Sequence, residues 1–142
     1  MRPKLSWVFF SLLIFADQIS KIASDSFSGD FYFINRACNK NIAWGLTVSP
    51  AFFYPLWFAI IFFLTKYFLQ AKNELQKLGL IFILSGAASN MIDRTVQGCV
   101  IDFIDLKFWP VFNLADTYIT IGIVIFLISK ILSTKHEIRN NT

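Results

Sequence analysis

The sequence predicts an all-α membrane protein, with four transmembrane helices and a small extracytoplasmic β element between helices 1 and 2. Three observations carry this. The 142 residues are 56% hydrophobic and only 15% charged, with 17 Phe and 4 Trp, too apolar a balance for an ordinary soluble domain. Four apolar runs are each long enough to cross a hydrocarbon core of about 30 Å. The Lys and Arg residues behind the net charge of +4 sit at the edges of those runs and form no stripe. They read as topology signals, not as a nucleic-acid surface. The length fits a single integral membrane domain over residues 1–142.

The first span is expected over residues 5–22, after a short basic start. A basic start before an apolar run also describes a signal peptide, but no small-x-small site follows the run. The span carries Asp17, Gln18 and Lys21; Asp17 and Lys21 are four apart, share a helix face and can pair. Residues 24–50 are too polar to span. The run Phe31-Tyr32-Phe33-Ile34 suggests strands, with turns around Asn35-Arg36-Ala37-Cys38-Asn39-Lys40-Asn41. Ala43-Trp44-Gly45 suits the membrane interface.

The second span, residues 52–69, is uncharged until Lys66 and has Pro55 near its start, where a helix tolerates proline. A polar hairpin follows, with Lys72, Glu74 and Lys77. The third span, residues 78–96, is apolar first and then reads Ser85-Gly86-Ala87-Ala88-Ser89-Asn90-Met91-Ile92-Asp93-Arg94. The small residues permit close helix approach. Residues 97–110 form a second extracytoplasmic connector. It holds Asp102 in the apolar run Val100-Ile101-Asp102-Phe103-Ile104. The fourth span, residues 111–132, carries Asn113 and Asp116 in its first turns and leads into a polar, basic tail.

Four spans put both termini on one side. Arg2, Lys4, Lys66, Lys72, Lys77, Lys130, Lys135 and Arg139 all fall at the termini or in the middle hairpin, so the termini are expected in the cytoplasm. Asp17, Gln18 and Lys21, then Asn90, Asp93 and Arg94, then Asn113 and Asp116, come to lie at one depth, near the outer face. Intramembrane ionisable residues are functional candidates. Cys38 and Cys99 belong to no CxxC pair, and the single histidine, His136, is in the tail, which argues against a zinc site. The cysteines read most simply as packing residues; a disulfide between them stays open if both lie outside.

Asp17-Gln18 with Lys21, Asn39 followed by Ala43-Trp44-Gly45, Gly86-Ala87 with Asn90 and Asp93-Arg94, Val100-Ile101-Asp102-Phe103, and Phe112-Asn113-Leu114-Ala115-Asp116 stand in the order seen in one family. On these five motifs the chain resembles lipoprotein signal peptidase (signal peptidase II), the bacterial membrane aspartyl proteases. Asn41, Ser85 and Ser89 stand where that pattern has glycine. The resemblance implies cleavage of diacylglyceryl-modified prolipoproteins just before the lipid-carrying cysteine, in the inner membrane, with no cofactor or metal. It implies that Asp102 and Asp116 are catalytic, and that Asn39, Asn90, Arg94 and Asn113 line the substrate site. Asp17, Lys21, Asp93 and Ala115 would support them. Membrane lipids and the cyclic peptide globomycin are further expected partners; nucleic acid is not.

Two facing carboxylates share a proton, so one can activate water while the other hydrogen-bonds the scissile carbonyl. A helix N-terminus favours the anion at Asp116, and Ile101 and Phe103 favour the neutral acid at Asp102. The competing reading is a small transporter or proton-conducting subunit with Asp17, Asp93 and Asp116 as a relay. Such sites tend to lie at the bilayer midplane between repeats, and no repeat is visible. Phe108 and Trp109 read as interface belt.

Overall fold

The structure is a computed structural model that describes residues 3–27, 31–40 and 49–140; the side chains of residues 3 and 135–140 are outside that description. The expectations for Asn41, for Ala43-Trp44-Gly45 and for the His136 side chain therefore lie outside the described residues. The elements run α1 (Pro3–Phe27), β1 (Ile34–Asn39), α2 (Pro50–Gln70), α3 (Glu74–Gln97), β2 (Val100–Ile104) and α4 (Leu114–Asn140). Among the described residues, four helices are long and apolar enough to cross a membrane.

The helix ends differ from the sequence expectation for local reasons. Pro50 takes the early helical position, and Pro55, expected near the helix start, lies inside α2. Glu74 to Lys77, expected in the polar hairpin, form the first turn of α3. Asn73 Oδ1 accepts from the backbone N–H of Leu75 at 2.8 Å and of Gln76 at 3.4 Å, so it caps the helix four residues earlier than expected. Gly98, at φ 74°, ends α3 in the left-handed conformation that glycine adopts without strain. The fourth helix starts three residues later than expected, and Asn113 is its cap. Its other end runs through the predicted tail to Asn140.

α3 and α4 pack closely because glycine removes the side chains between them. A Cβ on Gly122 would lie 2.6 Å from the Gly79 carbonyl oxygen, and one on Gly86 would collide with the Ala115 carbonyl. The buried apolar side chains are few and include Leu80, Ile81, Met91, Val100 and Ile101. α2 has no buried residue, and its Phe58, Phe63 and Leu69 are exposed, as a bilayer-facing surface requires.

The expected β element is present between α1 and α2, with one difference. Among the described residues, β1 pairs antiparallel with β2, which lies in the connector between α3 and α4. Phe31 to Phe33 form a bend and turn, while Asn35 to Asn39, expected in turns, are strand. Asp102, expected in a loop, is at the centre of β2. Phe112 extends the ladder, with its N–H donating to the Ile104 carbonyl at 3.1 Å.

Candidate active site

Three helices and the two strands meet where the polar residues were expected to converge. α1 turns Asp17, Lys21 and Ser24 to one buried face. α3 brings Ser89, Asn90 and Asp93, and α4 begins with Leu114-Ala115-Asp116.

Lys21 is the hub on the helix side. Its Nζ lies 2.7 Å from Asp17 Oδ2 and 2.8 Å from Asp93 Oδ2, and donates to Asn90 Oδ1 at 3.0 Å. Lys21 is 3% exposed and both carboxylates 0%. Charges so buried persist only when paired and hydrogen-bonded, and both conditions hold here. Asp17 also accepts from Ser89 Oγ at 2.7 Å, and Asp93 from Gln18 Nε2 at 2.8 Å.

Each carboxylate also grips one backbone N–H. Asp17 Oδ1 accepts from Ala115 at 2.8 Å, and Asp93 Oδ2 accepts from Ile101 at 3.1 Å. Ala115 directly precedes Asp116, and Ile101 directly precedes Asp102. One lysine thus ties together the two carboxylates that anchor the chain beside the two candidate acids.

The acids themselves are joined through asparagines. Asn113 Nδ2 donates to Asp102 Oδ1 at 2.7 Å, and Asn113 Oδ1 accepts from the Asp116 N–H at 2.9 Å. The Asn113 N–H donates in turn to Asp116 Oδ2 at 3.4 Å, a reciprocal cap. Asn90 Nδ2 donates to Asp116 Oδ1 at 2.8 Å. Asn39 Nδ2 donates to Asp102 Oδ2 at 2.9 Å. Every oxygen of the two carboxylates therefore has a donor.

Asp102 and Asp116 border a cavity of about 450 Å³ whose lining includes Asn39, Asn90, Arg94, Phe53, Trp57 and Trp109. The Arg94 guanidinium lies 5.0 Å from the Phe53 ring centroid and interacts electrostatically with both acids. Burial pushes the Asp102 carboxyl up to about 6; the Asp116 charge adds to this, while hydrogen bonds from Asn39 and Asn113 and the charge of Lys21 oppose it.

The structure brings together all ten residues singled out from the sequence. Ala115 contributes its backbone N–H. Asn113, expected inside the fourth span, is the hinge between strand and helix. Ser89, read only as a small residue, completes the shell of Asp17, and Gln18, expected in the polar cluster, completes that of Asp93. Trp109, read as interface belt, faces the cavity, whereas Phe108 is 83% exposed. Cys38 and Cys99 are disulfide-bonded.

Four membrane-length helices, with a cavity bordered by one buried and one half-buried acid, define a polytopic membrane enzyme. The family model described as Signal peptidase (SPase) II matches residues 9–132, and the chain belongs to that family of proteases. It is 34% identical to a lipoprotein signal peptidase of Borrelia turicatae, with 87% of each chain covered. To that of Syntrophomonas wolfei it is 36% identical, over 94% of this chain and 97% of the relative. A bacterial membrane enzyme structure obtained by the in meso method at 2.3 Å superposes with a TM-score of 0.84 at 27% identity, covering 96% of this chain and 93% of that one.

Proposed function

We propose that this chain is an aspartic endopeptidase that removes signal peptides from diacylglyceryl-modified prolipoproteins, cutting just before the lipidated cysteine. The observation that carries this reading is the pair Asp102 and Asp116, bridged by Asn113 and bordering one cavity. Family membership and the lipoprotein signal peptidases it resembles support lipoproteins as the substrate class.

The two acids hold one proton between them. Asp116 is the anion, because it sits in the first turn of α4, where the helix dipole and two N–H groups favour negative charge. Asp102 carries the proton, because it is 2% exposed between Ile101 and Phe103. Asp116 takes a proton from water as the oxygen attacks the scissile carbonyl, and Asp102 donates a hydrogen bond to the carbonyl oxygen. Collapse of the tetrahedral intermediate breaks the C–N bond, and the proton now on Asp116 goes to the leaving amine. The pair titrates as a unit, so these are microstates.

Asn39, Asn90 and Asn113 orient the carboxylates, and Arg94 faces substrate carbonyls from the cavity wall. Phe53, Trp57 and Trp109 offer an apolar surface to the signal helix, the acyl chains, membrane lipids or globomycin. Lys66, Lys77 and Lys130 fall in the halves of α2, α3 and α4 away from the site, and Lys72 lies between α2 and α3. This supports cytoplasmic termini and a site in the outer leaflet. A proton relay through Asp17 and Asp93 finds no support, since both carboxylates are held by Lys21 and backbone amides.

The test is cleavage of a lipid-modified prolipoprotein by the purified chain, read as a mass shift. Asp102→Asn and Asp116→Asn should each lower kcat by about 10³-fold. Near-normal cleavage by either variant would refute the acid pair.

A further inference from the structure

Two diagonals cross the β1–β2 ribbon. Asn39 stands opposite Val100, and Ala37 opposite Asp102, so Asn39 and Asp102 are diagonal neighbours on one face, close enough for a 2.9 Å hydrogen bond. One residue back on each strand, Cys38 stands opposite Ile101, and Cys99 lies two residues before Ile101. Cys38 and Cys99 are covalently joined, with Cα atoms 5.5 Å apart across a sequence separation of 61. Side chains alternate along strands, so the covalent diagonal lies on the face opposite the Asn39–Asp102 diagonal.

The ribbon needs such a staple. Two strands alone are marginal. This pair carries a bulge between Ile34 and Ala37, and β1 ends at Asn39. A slip of one residue would turn Asn39 to the wrong face.

We infer that the Cys38–Cys99 disulfide is a positioning cross-link for the reaction: it keeps β1 in register so that Asn39 stays on Asp102, and cleavage by this chain depends on the bond being intact. The inference rests on the acid-pair mechanism proposed above. Forming the bond removes two thiol protons and two electrons, which pass to a protein disulfide of the thiol-oxidase class and leave it as a dithiol. An added dithiol reverses the exchange. Cys38 is exposed and Cys99 is buried, so exchange begins at the Cys38 sulfur.

The consequence for Asp102 has a definite sign. The Asn39 hydrogen bond favours the ionised form. The charged groups that face Asp102 are Asp116 on α4, Lys21 on α1 and Arg94 on α3; the charged residue of β1, Arg36, pairs with Asp25. Loosening β1 removes the pull of Asn39, and Asp102 then keeps its proton to higher pH.

The experiment is kcat/KM against pH for the full chain in lipid–detergent micelles, oxidised and reduced with dithiothreitol, beside Cys38→Ala/Cys99→Ala and Asn39→Ala. Reduction should lower kcat/KM about tenfold, the scale of one hydrogen bond to a charged group. It should also move the alkaline limb up by about one pH unit. The double-cysteine variant should show both changes without reductant and none further with it, and Asn39→Ala should show both in either redox state. An unmoved limb, a reductant effect that persists without the cysteines, or activity lost together with the helical melt would overturn the inference. Asp102→Asn separates the two readings. If it still cleaves, the acid pair fails; if it is inactive while the wild type ignores reductant, only the cross-link fails.

Discussion

The two acids are held from two directions by regions of different construction. On the helix side, Lys21, Asp17 and Asp93 form a buried ion cluster that reaches the backbone before each acid. On the strand side, a bulged ribbon reaches Asp102 through one asparagine and is closed by a disulfide. Nothing in the helix cluster can be removed without stranding a charge away from water. The ribbon can lose the Asn39 contact while Asp102 keeps its hydrogen bond from Asn113 and its place at the cavity. The lesson is that the helix side should govern stability, and the strand side should govern tuning of the acids.

Lys21→Met tests this contrast most strongly. It leaves two carboxylates buried without their cation, and breaking such a set costs about 3–5 kcal/mol. Thermal unfolding in micelles should show this as a large drop in Tm with loss of cleavage. An unchanged melt would erase the distinction between the two supports. Gly86→Val should come next, at about 1–3 kcal/mol for an overpacked site, because the new side chain meets the Ala115 carbonyl next to Asp116. Its melt and its kcat should fall together.

The strand side should show itself in the pH profile with little change in stability. Burial raises the Asp102 carboxyl to about 6. The form that donates to the substrate carbonyl is therefore present below that pH and is lost as pH rises through it. The alkaline limb of kcat/KM should report this loss, and a profile flat from pH 5 to 8 would remove Asp102 from the acid role. The smallest effect is expected at Phe108, which is 83% exposed beyond the ribbon. Phe108→Ser should change stability by less than about 0.5 kcal/mol, and a larger loss of Tm would mean that the strand side carries more of the fold than its contacts indicate.

Much of the site was readable before any coordinates. Asp17 and Lys21 four apart, Asn90 with Asp93, and Asn113 with Asp116 announce themselves because helical spacing is local and charges in apolar runs are costly. Ser89 was less visible. A serine on a packed helix face is also consistent with a small residue at a close approach, and only its 2.7 Å hydrogen bond to Asp17 reveals its role. The place of Trp109 on the cavity was not legible, because an aromatic near a membrane boundary looks the same whether it faces lipid or a cavity.

The sequence by itself determined the four spans, the family motifs and which ionisable groups lie within the apolar runs, because length, hydropathy and helical period are properties of neighbours along the chain. Only the tertiary structure decided that β1 pairs with β2, that Cys38 joins Cys99, that Lys21 bridges Asp17 to Asp93, and that Asn113 links the two acids. Those contacts join separate elements, some more than sixty residues apart. Their partners are selected by shape and by the need to satisfy every buried polar group together, which no local pattern encodes.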